Sequence, residues 1–364
     1  MATNQGTWAY RDRFGDAFAR TYFRRFGPGV ASSVGLGTYL GAPTGAVDAD
    51  YRESITSALS AGINHVDTAI NYRCQRSERA VGAALSEADV DREEVVIASK
   101  GGFVPFDGFR PEDPAAYVRE MFLDTGLLAP EDLAAGSHAI TPAFIEAMLD
   151  RSLSNIGIET IDCYYVHNPE TQLQARSRDA VYDLLEATFE RLERRRATGD
   201  IGMYGVATWE AFRVPRGHGS YLSLPEVVSR AERAAETVGA DDVGLGAIQL
   251  PFNVAMADAF TVSAHPHPDD GECVSALEYA QATGLDVVAS AALAQGDLVS
   301  SIPTDIDVEL RGDTAAQRAI NFARSAPGVA TALAGTSSPN HVPENVAAGT
   351  FEPLGARAFD AVFE

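Results

Sequence analysis

Short apolar runs of β character alternate with amphipathic helical segments along almost the whole of this 364-residue chain. "SVGLGT" near residue 35 opens the series, followed by "INHVDTA", "EVVIASK", "IDCYYVH", "IGMYGVAT", "VGLGAIQL", "LDVVASA" and "VATALAGT". Between them lie "AVDADYRESITSALSAGI", "SERAVGAALSEA" and "TPAFIEAMLDRSLSNIG", then helical spacings over 175–198, 224–238, 273–283 and 313–325, with "PNHVPENVAA" supplying the last helix. Strands alternating with helices imply βαβ units and a parallel sheet. Eight of them imply an α/β fold of the (β/α)8 TIM-barrel type, whose single domain commonly runs to about 250 residues or more.

Two regions interrupt the count. Residues 101–140 carry Gly, Pro, Asp and aromatics without a steady period, far longer than the usual two to six residues or so of a βα loop. They form a long insertion after strand three, a candidate lid or substrate loop. Residues 7–26 place Phe14, Phe18, Tyr22 and Phe26 at four-residue spacing among Arg13, Arg20, Arg24 and Arg25. The spacing predicts a helix whose aromatic stripe is buried against the barrel's bottom. The expected organisation is a helical N-terminal extension over 1–29 and a barrel over 30–364.

Composition narrows the function. With 51 acidic against 28 basic residues the formal charge is −23, which excludes nucleic-acid and acidic-membrane binding because phosphate contacts need a basic face. High negative charge with almost no lysine fits a salt-adapted, halophilic protein or the coding bias of a GC-rich genome, and both readings stand. Cys74, Cys163 and Cys273 are widely spaced, with no C-x-x-C pair, so free thiols and no metal site are expected. No signal-peptide run or membrane-length apolar stretch is present, and a soluble cytoplasmic protein is expected.

Of the 28 basic residues, 27 are arginine and one is lysine, Lys100, at the end of an apolar run. In a barrel, functional groups sit at the C-terminal ends of the strands, around one mouth. Asp67 ends strand two, Tyr72 follows it, Lys100 ends strand three and His167 ends strand four. Any one alone reads as a cap, a packed ring or a satisfied core histidine; together at consecutive strand ends they read as a site. Free tyrosine, with a pKa near 10, is a poor acid–base catalyst at neutral pH unless a cation stabilises its phenolate. Lysine supplies that cation as a compact point charge, where arginine brings a broad planar fork. Asp67 is expected to hold the ammonium and Tyr72 to donate the proton.

"GINHVDTAINY" with "SERAVGAAL", "VVIASKGG" and "IDCYYVHNP" resembles the aldo-keto reductase superfamily, whose members use an Asp, Tyr, Lys and His tetrad on a (β/α)8 barrel. The five-residue step from Asp67 to Tyr72 and the 28-residue step to Lys100 fit that pattern; His167 lies further on by about the length of the insertion. The resemblance implies a nicotinamide-dependent oxidoreductase that reduces the carbonyl of a small molecule, an aldehyde, ketone or sugar, or runs the reverse reaction. By the same resemblance Gly37, Thr38 and Tyr39 lie beside the nicotinamide with Asp67, Thr208 and Gln249, near Asn253, and Phe252 stacks on it. Ser290, Leu293, Gly296 and Leu298 wrap the pyrophosphate, and Gly335, Thr336, Ser337, His341, Glu344 and Asn345 meet the adenosine end. NADP(H) is expected, and NAD(H) is kept as the alternative because Gly335 and His341 stand where NADP-preferring members often carry the Lys and Arg that neutralise a 2′-phosphate.

Other readings have specific supports. A non-catalytic nicotinamide-binding regulatory subunit would keep the same site for sensing. A metal-dependent hydrolase is suggested by "HPHP" at His265 and His267, but the setting reads as a solvated loop. A dinucleotide fingerprint in "GLGTYLG" lacks the helix that should follow at once. The aromatics Tyr39, Tyr72, Phe103 to Phe109 and Trp209 are expected to wall the substrate pocket.

Overall fold

A computed structural model describes residues 1–300 and 302–363. Eight parallel strands close into a barrel: β1 (Val34–Gly37), β2 (His65–Asp67), β3 (Val96–Gly101), β4 (Ile161–His167), β5 (Ile201–Ala207), β6 (Leu245–Pro251), β7 (Asp286–Ser290) and β8 (Val329–Gly335). They pair in chain order, and Gly335 opposite Gly37 closes the ring. The fold is the expected (β/α)8 barrel.

The connecting helices are α1 (Gly45–Ser60), α2 (Arg76–Glu87), α3 (Pro142–Ile156), α4 (Arg178–Ala197), α5 (Leu224–Val238), α6 (Ala276–Thr283), α7 (Ala315–Ser325) and α8 (Val342–Ala347). Their limits follow from local chemistry. Ser177 and Thr314 cap α4 and α7 by accepting from the backbone amides of Ala180 and Gln317, each three residues on, satisfying donors the helix itself leaves free. Gly157, Gly239 and Gly284 end α3, α5 and α6 in the left-handed conformation, which costs glycine no Cβ clash.

Each strand is buried on both faces, as parallel barrel strands must be. Inward residues such as Ala98, Cys163, Tyr165, Ala247 and Val288 fill the barrel's interior, while Val66, Ile97, Tyr164 and Ile248 pack outward beneath the helices. Among the described residues no helix is long and apolar enough to cross a membrane.

The N-terminal segment departs from the expected helix. Only Asn4–Phe14 is helical; the chain then turns and forms an antiparallel hairpin, Phe23–Phe26 with Gly29–Ser32. Gly27 at φ 51° and Pro28 make the hairpin turn, and the Pro ring cannot continue a helix. The hairpin runs across the expected boundary at residue 29. Of the aromatic stripe, Tyr22 and Phe26 are buried nonetheless and Phe14 and Phe18 half-buried: Phe18 stacks on Tyr22 at 4.0 Å, and Phe26 meets His65 at 4.9 Å in the barrel floor.

The 101–140 insertion contains a short helix, Pro114–Val118, that widens into a π turn at Arg119–Leu123. Phe122 anchors it, fully buried and 6.0 Å from Phe144 of α3. The segment returns to the barrel through antiparallel bridging of Phe103 with His138. His265, expected in a solvated loop, is buried: Nε2 pairs with the carbonyl of Phe212 at 2.8 Å and Nδ1 accepts from the amide of Leu224. Among the described residues no group of three His, Cys, Asp or Glu is placed to hold a metal.

Candidate active site

The strand register brings the C-terminal residues into one ring. Gly37 is level with Asp67, His167 with Ala207, and Ala207 with Gln249. Above them opens a cavity of about 650 Å³ lined by Asp67, Tyr72 and His167 at one side and by the loops after β7 and β8 at the other.

Lys100 points into this ring from β3 and is fully buried. Its Nζ donates to Asp67 Oδ1 and, at 2.9 Å, to the carbonyl of Thr68. It also sits 5.0 Å from the centre of the Tyr72 ring. The second Asp67 oxygen accepts from Gln249 Nε2 at 2.8 Å. Burial alone would lower the lysine's pKa, but Asp67 and Tyr72 outweigh it and the net shift is upward; Lys100 stays an ammonium.

Tyr72 lies on the loop between β2 and α2. Three successive left-handed residues, Arg73, Cys74 and Gln75, at φ 48°, 57° and 68°, follow it. The guanidinium of Arg73 pins this loop to the start of α1, donating to Asp48 at 2.5 Å and to the carbonyl of Ala42. Burial pushes the Tyr72 hydroxyl up while Lys100 pulls it down, and burial wins. The lysine was expected to bring the phenol toward neutrality; here it limits a rise, and the phenol holds its proton.

His167 is nine-tenths buried and faces Tyr72 with ring centres 6.0 Å apart. Burial, Lys100 and His138 together hold it well below the ordinary imidazole range. The ring is neutral and carries one N–H donor. Among the described residues its Nδ1 has no hydrogen-bond partner.

Of the other expected binding residues, Gly37, Thr38, Tyr39, Thr208 and Gln249 line the cavity near Asp67. Ser290, Leu293 and Gly296 line its middle, and Gly335, Ser337, His341, Glu344 and Asn345 its far end. Three lie off it. Phe252 is buried among the outer helices, stacked on Phe322 at 5.6 Å and near Phe359, so it cannot stack on a ligand in the mouth. Leu298 is buried under the β7 loop. The Thr336 hydroxyl is buried and accepts from Asn345 Nδ2 at 2.8 Å. Asn253, expected close by, is occupied with the backbone of Ala255 and Ala291.

The expected aromatic wall is also smaller than supposed. Tyr39, Tyr72, Phe103 and Trp209 line the cavity, but Phe106 packs on Tyr117 and Phe109 is exposed to solvent. Sequence reasoning overlooked Asn71, Asn168 and Gln295, all lining residues. Asn71 and Asn168 adjoin Tyr72 and His167 in the chain, a signal that was available.

A sequence model described as the Aldo/keto reductase family matches residues 33–219, just over half of the chain and including Asp67, Tyr72, Lys100 and His167. The chain belongs to the aldo/keto reductase family. Among curated relatives, this aldo/keto reductase is 29% identical over 157 residues to a D-threo-aldose 1-dehydrogenase of Pseudomonas, covering 42% of each chain. It is 28% identical over 156 residues to a 6-dehydroglucose reductase of Novosphingobium aromaticivorans, covering 41% of this chain and 42% of that one. The matches thus span less than half the length of these relatives. Among solved structures, an aldo/keto reductase from Klebsiella pneumoniae in complex with NADP and acetate superposes with a TM-score of 0.62 at 20% identity, over 94% of both chains.

Proposed function

We propose that this chain is an NADP(H)-dependent oxidoreductase that reduces the carbonyl of a small molecule, or oxidises the corresponding alcohol. The observation that carries the reading is the buried Lys100–Asp67 pair set against Tyr72, with neutral His167 facing the same cavity. The fit to a nicotinamide cofactor rests on the cavity itself. Thr208 Oγ1, Asn71 Oδ1 and His167 Nδ1, on residues that line it, are buried polar atoms without partners among the described residues. Gly296 and Gly335 leave open space where a side chain would stand. Ala291, Ala294 and Gln295 are left-handed at φ 53°, 45° and 57°, a backbone form that gathers N–H groups into anion-binding concavities.

Gly37, Thr38, Tyr39, Thr208 and Gln249 would hold the nicotinamide end, Ser290, Leu293 and Gly296 the pyrophosphate, and Gly335, Ser337, His341, Glu344 and Asn345 the adenosine. When bound, the cofactor supplies a hydride to the carbonyl carbon, or accepts one from the alcohol. Tyr72, protonated, donates its proton to the carbonyl oxygen. Lys100, held by Asp67, stabilises the phenolate that results. The His167 ring orients the same oxygen. NADP(H) is favoured over NAD(H) because the Klebsiella neighbour carries NADP, although His341 stands in for a cation at the adenosine end and none of the described lining residues is Lys or Arg. The three free cysteines favour a reducing, cytoplasmic setting.

Fluorescence titration with NADPH and NADH, in molar KCl to match the acidic composition, followed by turnover of an aldehyde, ketone and sugar panel, tests this reading. Tighter binding of NADPH with carbonyl reduction is expected. Binding without any turnover would point to a regulatory nicotinamide-binding protein, and no binding by folded protein would overturn the assignment.

A further inference from the structure

The insertion after β3 delivers a second histidine to the back of the site. His138 is fully buried. Its Nε2 lies 2.8 Å from the backbone carbonyl of His167, and its Nδ1 lies 2.9 Å from Gln172 Nε2. An amide N–H can only donate, so Nδ1 is the acceptor, the ring proton sits on Nε2, and Nε2 donates to His167. Gln172 Nε2 also donates to the carbonyl of His138 at 2.8 Å, and its Oε1 accepts from Arg176 Nε at 3.2 Å. Arg176 in turn reaches the insertion at the carbonyl of Glu131 and at Asp132.

The contact matters because of where the chain goes next. Asn168 is left-handed, φ 49°, so the peptide that His138 grips is the one at which β4 turns out of the barrel. The ring of His167 has no hydrogen bond at Nδ1 among the described residues and leans on Phe103, with ring centres 5.1 Å apart. Phe103 in turn packs against His138 at 4.8 Å. One residue therefore holds both the backbone of His167 and the phenyl that sets its ring. The approach is close: a Cβ on Gly102 would meet the His167 carbonyl at 2.5 Å and His138 Nε2 at 3.3 Å. Backbone bonds from Ala139 to Gly102 and from Val104 to Ser137 fasten the insertion's two ends together at this point.

We infer that His138 is a positioning residue for the reaction, fixing the peptide and ring of His167 through its Nε2–H and through Phe103. The inference rests on the reading of His167 as the group that orients the substrate oxygen. It assigns the 101–140 insertion a task at the chemical centre, where a lid would only cover it.

The test uses the full chain with His138→Leu, which keeps bulk but loses the donor, and His138→Gln, which restores an N–H. Gln172→Met serves as a second probe that leaves His138 itself in place. Nicotinamide dissociation constants, kcat and KM for a carbonyl substrate, and the ring resonances of His167, identified by their loss in His167→Gln, are measured for each. For His138→Leu the expected result is a tenfold or greater fall in kcat, a nicotinamide dissociation constant within twofold of wild type, and a shifted or broadened His167 resonance. His138→Gln recovers most of kcat, and Gln172→Met shows the same pattern more weakly. An unchanged His167 resonance with unchanged kcat overturns the inference. So does an equal loss of cofactor binding and turnover, which would mark His138 as a support of the whole mouth. If wild type reduces no carbonyl, the functional reading fails, and the resonances still decide whether His138 positions His167.

Discussion

Replacing Lys100 with methionine removes one charge from the centre of the site and should separate two effects that the buried pair combines. The ammonium sits 5.0 Å from the Tyr72 ring. At an effective dielectric of about 20, a unit charge at that distance stabilises a phenolate by about 3 kcal/mol. Loss of that stabilisation at the proton-transfer transition state lowers kcat about 100-fold. It also leaves Asp67, 3% exposed, with Gln249 as its remaining side-chain partner. An orphaned buried charge costs about 3–5 kcal/mol of stability. The double variant Lys100→Met with Asp67→Asn removes the orphan while keeping an oxygen for Gln249, so it should recover most of the thermal stability without recovering the rate. In the alcohol-oxidation direction, where Tyr72 must be ionised to accept a proton, the rate rises with pH through the phenol's pKa; the lysine lowers that pKa, so its removal moves the rising limb of the kcat profile to higher pH. Thermal unfolding and pH–rate profiles of the three proteins decide the matter. A double variant with wild-type turnover, or a limb that stays in place, would refute the electrostatic role of Lys100.

Tyr72→Phe should reduce turnover by at least about 10²-fold, the lower end for a positioned proton donor, with nicotinamide affinity unchanged in a fluorescence titration; full turnover would take Tyr72 out of the chemistry. Asp286, whose carboxylate accepts from the amide of Gly27 at 2.7 Å, is pushed up to about 6 by burial. Its folded pKa lies above the unfolded value near 4, so the folded state binds the extra proton and stability falls as pH rises through about 4 to 6. Asp286→Asn should therefore gain melting temperature over wild type at pH 7.5 and much less at pH 4.5; an equal gain at both would contradict the linkage. If the charge of −23 reflects salt adaptation, the melting temperature rises steadily from low salt into molar KCl. A flat response would assign the composition to coding bias.

The barrel was legible because each of its strands carries a local signal. "EVVIASK" and "IDCYYVH" became Val96–Gly101 and Ile161–His167 within a residue or two, and the helices between them start and stop at caps visible in the chain. The polar residues at the mouth were legible for the same reason, since a strand's last residue faces the opening wherever the barrel rule applies. Phe252 was misplaced because carry-over by position ignored the pleat. Gln249 points inward, and a residue an odd number of steps along points to the other face; Phe252, three steps on, joins the outer layer with Phe322. The stripe at Phe14, Phe18, Tyr22 and Phe26 was misread because burial at four-residue spacing also arises from ring stacking across turns, and the Gly-Pro at 27–28 was the signal against a helix. His138 had no local signal at all. Its role comes from contacts with residues 29 and 34 positions away, which no periodicity encodes.

The lone lysine can be understood against the arginines that fill every other cationic role. Arg195 spans Glu146, Asp150 and Asp200, and Arg230 spans Asp183, Glu186 and Glu226. Each uses the width of the guanidinium fork to bind carboxylates arriving from different elements near the surface. Inside the barrel the demand is the reverse. Asp67, the carbonyl of Thr68 and the Tyr72 ring converge on one point, with no exposed side through which a broad head could relax. An ammonium carries its three donors on a single atom and concentrates its charge there. A guanidinium spreads the same charge over a plane, dilutes the field at the phenol, and needs volume that Asp67 and Gln249 already occupy. The geometry at the end of β3 therefore accounts for a residue choice that composition alone could only flag.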